Sequence, residues 1–356
     1  MIQVIETLET LVPYAEVWRK LYCEARATVF QSFEYHLEAW KCLLSKIPEN
    51  RLAIILAGRG DKDTVKLICP FYIDQSGALR FINDTHTDYN DVICRAGENI
   101  YILMKEVFDW ISANNKIKRV HFAKMQHHSL LLHYGRNFLQ SGFVYADNAF
   151  SYLTVQCSND PIGEMSHMTT KDRSVLKSLL RKVSGYSFDI HTVKNGGFPI
   201  KKVQEMRDKM VQRGLRKLSF FPDDLIDFVE RMFESDYLEV GILKNKEGVA
   251  EVITFRFRDE RVSNRHIAWI FMSSDPKLVS AVDIRYIVDK AKNGSTVFDF
   301  GVGAYTYKLG NFKPIVESTF ALVDGKNWYS LCAALFGMNV VLAKRIIRSK
   351  VLGVKK

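Results

Sequence analysis

The chain has 356 residues, of which 47% are hydrophobic and 25% are charged. This balance is typical of a globular protein with a sizeable core, and it excludes an intrinsically disordered chain. Because 50 Lys and Arg residues outnumber 40 Asp and Glu residues, the net charge of +10 predicts acidic partners such as phosphates, nucleotides, nucleic acid or an anionic membrane surface.

Cysteine and histidine spacing gives no metal-binding pattern. The six cysteines are scattered without a CxxC or Cys/His spacing, so we expect reduced thiols and no metal. His127, His128 and His133 lie one and five residues apart and do not converge on one helical face. The sequence has no run of about 18 apolar residues and begins without a signal-peptide pattern, so a cytoplasmic protein is expected.

The first half of the sequence predicts a mixed α/β domain. Two apolar stretches, 52–57 and 65–73, are predicted as paired strands because the turn-forming segment 58–63 joins them. Apolar residues recur every three or four positions over 99–113, which predicts a helix with one buried face. Further strands are expected at 79–82, 92–94, 119–122 and 150–155.

The segment Ser158-Asn159-Asp160-Pro161 is typical of a linker. We therefore expect two domains, 1–160 and 161–326, followed by a basic tail, 327–356. The tail runs from an apolar stretch into clustered Lys and Arg residues. It either packs on its own domain or makes a peripheral contact with an anionic membrane.

The second half has its own helices and strands. Helical periodicity is seen over 174–183, 200–212 and 223–233. An antiparallel series of strands is then predicted over 238–243, 249–257 and 261–272. A loop, a helix over 278–292 and a strand over 296–300 follow, which is typical of a crossover unit whose helix N-terminus can receive an anion.

The end of this last predicted strand has the features of a site. The strand leads into a glycine-opened loop that carries Tyr305, Tyr307 and Lys308. The end of a strand fixes the position of the loop that follows it, and the loop carries the functional side chains. Glycine lets the backbone approach a ligand closely. Asp299 lies within the apolar strand, where an unpaired carboxylate is costly, so it should have a partner.

Several segments resemble the CelD-type acyltransferases of the GNAT superfamily, which are related to the FemABX aminoacyltransferases. The resemblance covers most of the chain. The matching segments are 30–40, 67–72, Asp88-Tyr89-Asn90-Asp91, the basic helix 171–182, 212–214, and 298–300 followed by Tyr307-Lys308. It implies an α/β fold of tandem GNAT-like domains, each a mixed, largely antiparallel sheet flanked by helices. The implied activity is acyl transfer to an amine or hydroxyl, often in polysaccharide or envelope biosynthesis.

The resemblance also places an acyl-CoA cleft in the second half. The residues expected to line it are Ile270, Met272, Lys277, Ser280, Ala281 and Val282. The family has Ser-Pro-Gly at the position of Ser280-Ala281-Val282 in this chain. Glycine allows phosphate oxygens to reach backbone N–H groups, whereas the β-branched Val282 crowds that approach.

Catalytic roles are assigned as hypotheses. Glu251, on a predicted strand, is expected to act as base, and Tyr305 or Tyr307 to protonate the leaving group. Lys308 either contacts the acyl carbonyl or an anionic group, or is a solvated charge. Asp299 has either a structural pairing or a catalytic role.

Acceptor binding is assigned to polar residues of both halves. The predicted substrate-binding residues are Asp88, Tyr89, Asp91, Arg173, Arg181 and Arg213. The aspartates are more typical of turn caps, and the basic helix is more typical of a solvated face. Glu251 has the alternative of an exposed strand position.

The leading functional prediction is an acyltransferase that uses acetyl-CoA or another acyl-CoA. Its acceptor would be an amine or hydroxyl of a sugar, nucleotide-sugar or envelope precursor. One alternative is a FemABX-like transferase that uses aminoacyl-tRNA, which the positive charge suits. The other is a catalytically silent protein that binds a glycan or lipid precursor.

Overall fold

In a computed structural model of the chain, the residues described are 2–58, 64–259, 264–272, 275–294, 297–303 and 306–325. Only the backbone is described at 218, 264–268, 306 and 307. Residues 59–63 of the predicted turn 58–63 and the basic tail, 327–356, lie outside the described residues.

Strands and helices are interspersed along the chain. The strands are β1 (Ile2–Ile5), β2 (Arg51–Leu52), β3 (Ile54–Gly58), β4 (Val65–Cys69), β5 (Phe71–Ile73), β6 (Ala78–Phe81), β7 (Ile93–Cys94), β8 (Arg119–Met125), β9 (Phe143–Thr154), β10 (Ser187–His191), β11 (Leu238–Lys244), β12 (Ala250–Asp259), β13 (Asn264–Met272), β14 (Val297–Val302) and β15 (Ile315–Gly325). The helices are α1 (Leu8–Leu11), α2 (Ala15–Glu24), α3 (Phe33–Ala39), α4 (Ile100–Ala113), α5 (Leu130–Gly135), α6 (Thr170–Lys182), α7 (Ile200–Gln212), α8 (Asp223–Glu234), α9 (Lys277–Lys292) and α10 (Thr306–Phe312).

The predicted strand over 65–73 is two strands in different sheets. β4 pairs with β3 and β7 in a four-stranded sheet that also contains β1. β5, which follows after Pro70, pairs with β2 and β6 in a larger sheet. Proline has no N–H to donate to a strand partner, so the ladder breaks at this position.

The larger sheet has eleven strands among the described residues, in the order β10-β11-β12-β13-β14-β9-β15-β8-β6-β5-β2. β9, from the first half, lies between β14 and β15, with Leu153 opposite Phe298 and Phe150 opposite Glu317. β15 then pairs with β8. The two halves of the chain therefore share one continuous sheet.

The predicted crossover unit is confirmed. β13 and β14 run parallel, with His266 opposite Asp299, and α9 connects them. Apart from this pair and β6 with β8, neighbouring strands in the described part of the chain pair antiparallel. The predicted α/β class, with mixed, largely antiparallel sheets flanked by helices, is confirmed.

Helix packing follows the apolar periodicity of the sequence. On α8, the side chains of Leu225, Phe228, Val229 and Met232 recur at helical spacing and are at most 1% exposed. They belong to a core cluster that also contains side chains of β11 and β12. Among the described residues, no helix is both long and apolar enough to cross a membrane.

Candidate active site

A cavity of about 650 Å³ lies where the loop after β6 meets the ends of β13 and β14. Its lining contains both polar and apolar side chains. The lining residues are Thr85, His86, Thr87, Asp88, Lys124, Met210, Leu215, Arg216, Phe220, Trp269, Ile270, Met272, Pro276, Val279, Phe300, Val302 and Lys308. The volume is within the range of pockets that enclose small-molecule ligands.

Lys308 is a buried cation on the cavity wall. It lies in α10 just after β14, and it is only 4% exposed. Its ammonium donates a hydrogen bond to the Phe300 carbonyl, with 2.5 Å between Nζ and O. Burial lowers the pKa of Lys308, while the charges of Asp88, Asp299 and Asp283 act in the opposite direction. The predicted alternative of a solvated surface charge does not match this burial.

Asp88 faces the same cavity from the loop after β6. Its Oδ1 accepts the Val302 N–H at 3.1 Å. Gly301 has φ +68°, and a Cβ added there would lie 2.2 Å from Asp88 Oδ2. Glycine at 301 is therefore needed both for the left-handed backbone and for the close approach of this carboxylate. Burial and the Asp299 charge raise the pKa of Asp88, whereas Lys124 and Lys308 lower it.

Tyr89 and Asp299 form a buried pair below the cavity. The Tyr89 hydroxyl lies 2.7 and 2.6 Å from the two Asp299 carboxylate oxygens. Asp299 Oδ1 also accepts the Gly301 N–H at 2.6 Å. Asp299 thus has the partner that its apolar strand required. The partner is a tyrosine from the first half of the chain together with a backbone N–H.

Lys124 is a second cation on the cavity wall, and the sequence did not single it out. Its ammonium donates to the carbonyls of Thr85 and Thr87 at 3.2 and 2.7 Å, so it braces the loop that carries Asp88. Its φ of +58° is unusual for a residue with a side chain. The Lys124 N–H donates to Asp147 at 2.9 Å, which helps to hold this conformation.

His86 and the apolar wall complete the lining. Burial, with a smaller effect of Lys124, lowers the pKa of His86 to about 4, so this imidazole is neutral at physiological pH. Trp269 lies opposite, with ring centroids 6.5 Å apart. Phe220, Ile270, Met272 and Val279 extend the apolar surface.

Of the residues predicted to bind acyl-CoA, some line the cavity and others do not. Ile270 and Met272 line the cavity, and exposed Lys277 begins α9. Ser280, Ala281 and Val282 lie inside α9 and are buried. Their side chains face the protein interior, and Ser280 Oγ accepts a hydrogen bond from Asn311 at 2.8 Å.

The first N–H groups of α9 already have acceptors. Lys277 N–H donates to the Asp275 carboxylate at 2.8 Å, and Leu278 N–H to the Asp275 carbonyl at 2.9 Å. Val279 N–H donates to the Pro276 carbonyl at 3.3 Å. These donors, and the carboxylate beside them, leave the start of α9 poorly suited to a pyrophosphate.

Most of the predicted acceptor-binding residues do not line the cavity. Asp91 accepts N–H bonds from Leu130 and Leu131 at 2.8 and 3.0 Å and so caps α5. Arg173 donates to two backbone carbonyls before α6. Arg181 is exposed on α6, and Arg213, also exposed, lies two residues before the cavity-lining Leu215.

For three predicted catalytic residues, Glu251, Tyr305 and Tyr307, the described part of the chain shows no side chain at the cavity. Glu251 is half-buried near the start of β12 and does not line the cavity. Tyr305 lies outside the described residues. The backbone of Tyr307 lies in α10, but its side chain is not described, so both tyrosine assignments stay predictions. In the part of the chain described, no group of three or more His, Cys, Asp or Glu residues could hold a metal ion.

Comparison with solved structures shows a shared fold. A TM-score of 0.60 at 10% identity relates the chain to the C-terminal domain of a candidate lysylphosphatidylglycerol synthetase from Agrobacterium fabrum, over 93% of this chain and 96% of that one. L-PGS from Bacillus licheniformis gives 0.57 at 13% identity over 93% and 96%. A conserved Bacteroides thetaiotaomicron protein of unknown function gives 0.52 at 11% identity over 92% and 100%.

Neither a protein-family model nor a curated protein sequence matches the chain. At these identities the structural likeness shows the fold alone. The predicted α/β fold, with mixed, largely antiparallel sheets flanked by helices, is confirmed at this level. Membership of the CelD-type family stays a prediction.

Proposed function

We propose that this protein is an acyl-group transferase whose reaction takes place in the cavity between Asp88 and Lys308. The observation that carries the proposal is that a buried ammonium, Lys308, and a half-buried carboxylate, Asp88, line the same cavity. Such a site can accept a proton at one group and stabilise developing negative charge at the other. Because Lys308 is buried, its interaction with that charge is stronger than it would be in water.

The proposed step is direct transfer from an activated ester. The acceptor hydroxyl gives its proton to the Asp88 carboxylate, and its oxygen forms a bond to the ester carbonyl carbon. The carbonyl oxygen becomes negatively charged and is stabilised by the Lys308 ammonium. When the intermediate collapses, the original C–O bond breaks, and the proton on Asp88 passes to the leaving oxygen. No covalent enzyme intermediate is required.

We propose an aminoacyl ester of tRNA as the donor. The start of α9, where an acyl-CoA pyrophosphate was expected, already has its N–H groups bonded and carries the Asp275 carboxylate. A terminal ribose ester does not need that contact. The net charge of +10 suits a nucleic-acid carrier.

For the acceptor, the name of one similar structure guides the choice. The Agrobacterium fabrum structure is the C-terminal domain of a candidate lysylphosphatidylglycerol synthetase, so a lysyl group and the hydroxyl of an anionic phospholipid headgroup are the first pair to test. The apolar wall of the cavity, with Trp269, Ile270 and Met272, is suited to the glycerol and chain portions of such a lipid.

The test is a transfer assay on the full chain with lysyl-tRNA labelled in the lysine and vesicles that contain phosphatidylglycerol. We expect labelled lipid to form. Lys308→Met should slow the reaction by about 100-fold or more, as loss of an oxyanion donor does. Lys292→Met, at an exposed position of α9, is the matched control and should retain the wild-type rate. Thermal melting of each variant checks that it remains folded.

Assays with other acyl donors test the donor assignment separately from the site. Transfer from acetyl-CoA or longer acyl-CoAs, with none from aminoacyl-tRNA, would replace the donor and keep the site. If no donor reacts, the transferase assignment is wrong. Thermal stabilisation by lipid or glycan precursors would then favour a binding protein.

A further inference from the structure

The connection between α7 and α8 is strongly cationic. From residue 209 to residue 222 the sequence contains four Lys or Arg residues and no Asp or Glu. The nearest acidic residues on either side, Asp208 and Asp223, are both paired with Arg207, at 3.1 and 2.6 Å. Their charge is therefore compensated locally. The residues between them present an excess of positive charge.

Part of this connection forms an edge of the cavity. We call residues 213–217, Arg-Gly-Leu-Arg-Lys, the rim loop. Gly214 has φ +67°, with nothing within 4 Å of the position of an added Cβ. The side chain of Leu215 is 38% exposed and also lines the cavity. An exposed apolar side chain is thus continuous with the apolar wall inside.

The cations of the rim loop surround this leucine. Arg213, Arg216 and Lys217 are all exposed. The Arg216 guanidinium lies over the Phe220 ring, 4.6 Å from its centroid, so its charge is presented on an aromatic surface. On the side of the cavity formed by α9, exposed Lys277 adjoins the cavity-lining Pro276.

From these features we propose that the rim loop is a docking surface for an anionic lipid bilayer. Basic side chains are attracted to anionic headgroups, and an apolar side chain among them can enter the interfacial layer. A nucleic-acid surface would pair with the basic side chains of the rim loop, but it would offer no apolar contact to the exposed Leu215. The continuity of Leu215 with the cavity wall adds a route by which an amphiphile can pass from the bilayer to the cavity.

This inference deepens the proposed function because it names the surface at which a lipid acceptor would be met. Its test needs neither donor nor transfer. The full chain is mixed with vesicles of phosphatidylcholine alone, or of phosphatidylcholine with equimolar phosphatidylserine, and the bound fraction is measured by flotation. Phosphatidylserine supplies negative charge without being the proposed acceptor.

We expect binding to the mixed vesicles and little to neutral ones. The pair Arg216→Gln/Lys217→Gln should weaken the partition coefficient by about 25-fold, since each basic residue contributes about fivefold. Leu215→Gln should weaken it by about fivefold. Lys201→Gln/Lys202→Gln, at the opposite end of α7 about 18 Å away, is the charge-matched control. Val249→Gln, at another exposed apolar residue, is the matched control for the leucine.

Loss of binding in the rim-loop variants, with both controls unchanged, supports the proposal. Equal binding by rim-loop and control variants would overturn it, as would absence of wild-type binding to anionic vesicles. Weakened binding to total tRNA in the rim-loop variants, without any change in vesicle binding, would reassign the loop to nucleic acid. Lys308→Met should bind vesicles like the wild type, so a failed transfer assay and a failed docking assay are separate results.

Discussion

At the scale of single residues, the candidate site depends on close approaches that sequence patterns do not reveal. Gly301 allows Asp88 to lie against β14, and the N–H groups of Gly301 and Val302 then bind Asp299 and Asp88. Two carboxylates are held close to Lys308 in this way. Lys308 offsets their charge, and Tyr89 donates to the deeper one.

Gly301→Ala should be unusually destabilising for a one-methyl change. A left-handed alanine costs about 1–2 kcal/mol, and displacing Asp88 from its hydrogen bond adds about 1–2 kcal/mol. Gly97→Ala is the matched control, because Gly97 has φ +81° and open space around it, so only the backbone cost remains. Urea unfolding measures both. Equal losses of stability in the two variants would contradict the close approach.

The pH dependence of the proposed reaction follows from the same two groups. Asp88 must be ionised to accept a proton, and its pKa is raised from the ordinary 3.8, so kcat/KM should rise with pH through that higher value. Lys308 must be protonated, and its pKa is lowered from 10.5, so the rate should fall at alkaline pH earlier than for an ordinary lysine. Lys308→Arg should move the alkaline limb to higher pH. An alkaline limb that does not move in this variant would exclude Lys308 as its source.

At the scale of elements, regular helices follow directly from their periodicity. The helix predicted over 200–212 is α7 residue for residue, and the helix over 278–292 differs from α9 by one residue at its start. Apolar side chains at helical spacing must pack against some other surface, so the helix can be predicted without knowing which surface it covers. Strands were less predictable, because β1, β10 and β15 were missed and the strand over 65–73 divides at Pro70 between two sheets.

Asp91 was predicted to bind substrate, but its contacts are with the start of helix α5. Its carboxylate accepts the N–H groups of Leu130 and Leu131 and the hydroxyl of Ser129, which itself caps α5. The capping alternative for this aspartate is the one that its contacts support.

Asp91→Ala should lower stability by about 2–3 kcal/mol, since several hydrogen bonds to a charged acceptor are lost. Asp109→Ala removes an exposed carboxylate from α4, paired only across the helix surface with Lys105, and should cost about 0.5 kcal/mol or less. Thermal and urea unfolding compare them. A loss of stability in Asp91→Ala no greater than in Asp109→Ala would contradict the capping role.

At the scale of the whole molecule, β9 and β15 join the halves. β9 lies between two strands of the second half, and β15 returns to pair with β8 of the first. The boundary near residue 160 stays a prediction, and the sheet indicates that the segments on either side of it stabilise each other.

A fragment of residues 1–160 should therefore fail to fold alone, because β8 and β9 would each lose strand partners and expose hydrogen-bonding edges. Fragments 1–160 and 161–356 expressed together should copurify as a folded pair. Circular dichroism and gel filtration distinguish the outcomes. A monomeric 1–160 fragment with a cooperative melting transition would refute the dependence.

Local patterns in the sequence predict the α/β class, the main helices and the crossover around α9, and they single out Lys308, which lines the cavity. These features depend on local periodicity, turn chemistry and the cost of burying a charge, all of which are readable within a short segment. Which residues share the cavity becomes visible only in the folded chain. Lys124, His86, Arg216 and Trp269 come from separate elements, and contacts between distant segments depend on strand order and packing, which no local pattern encodes.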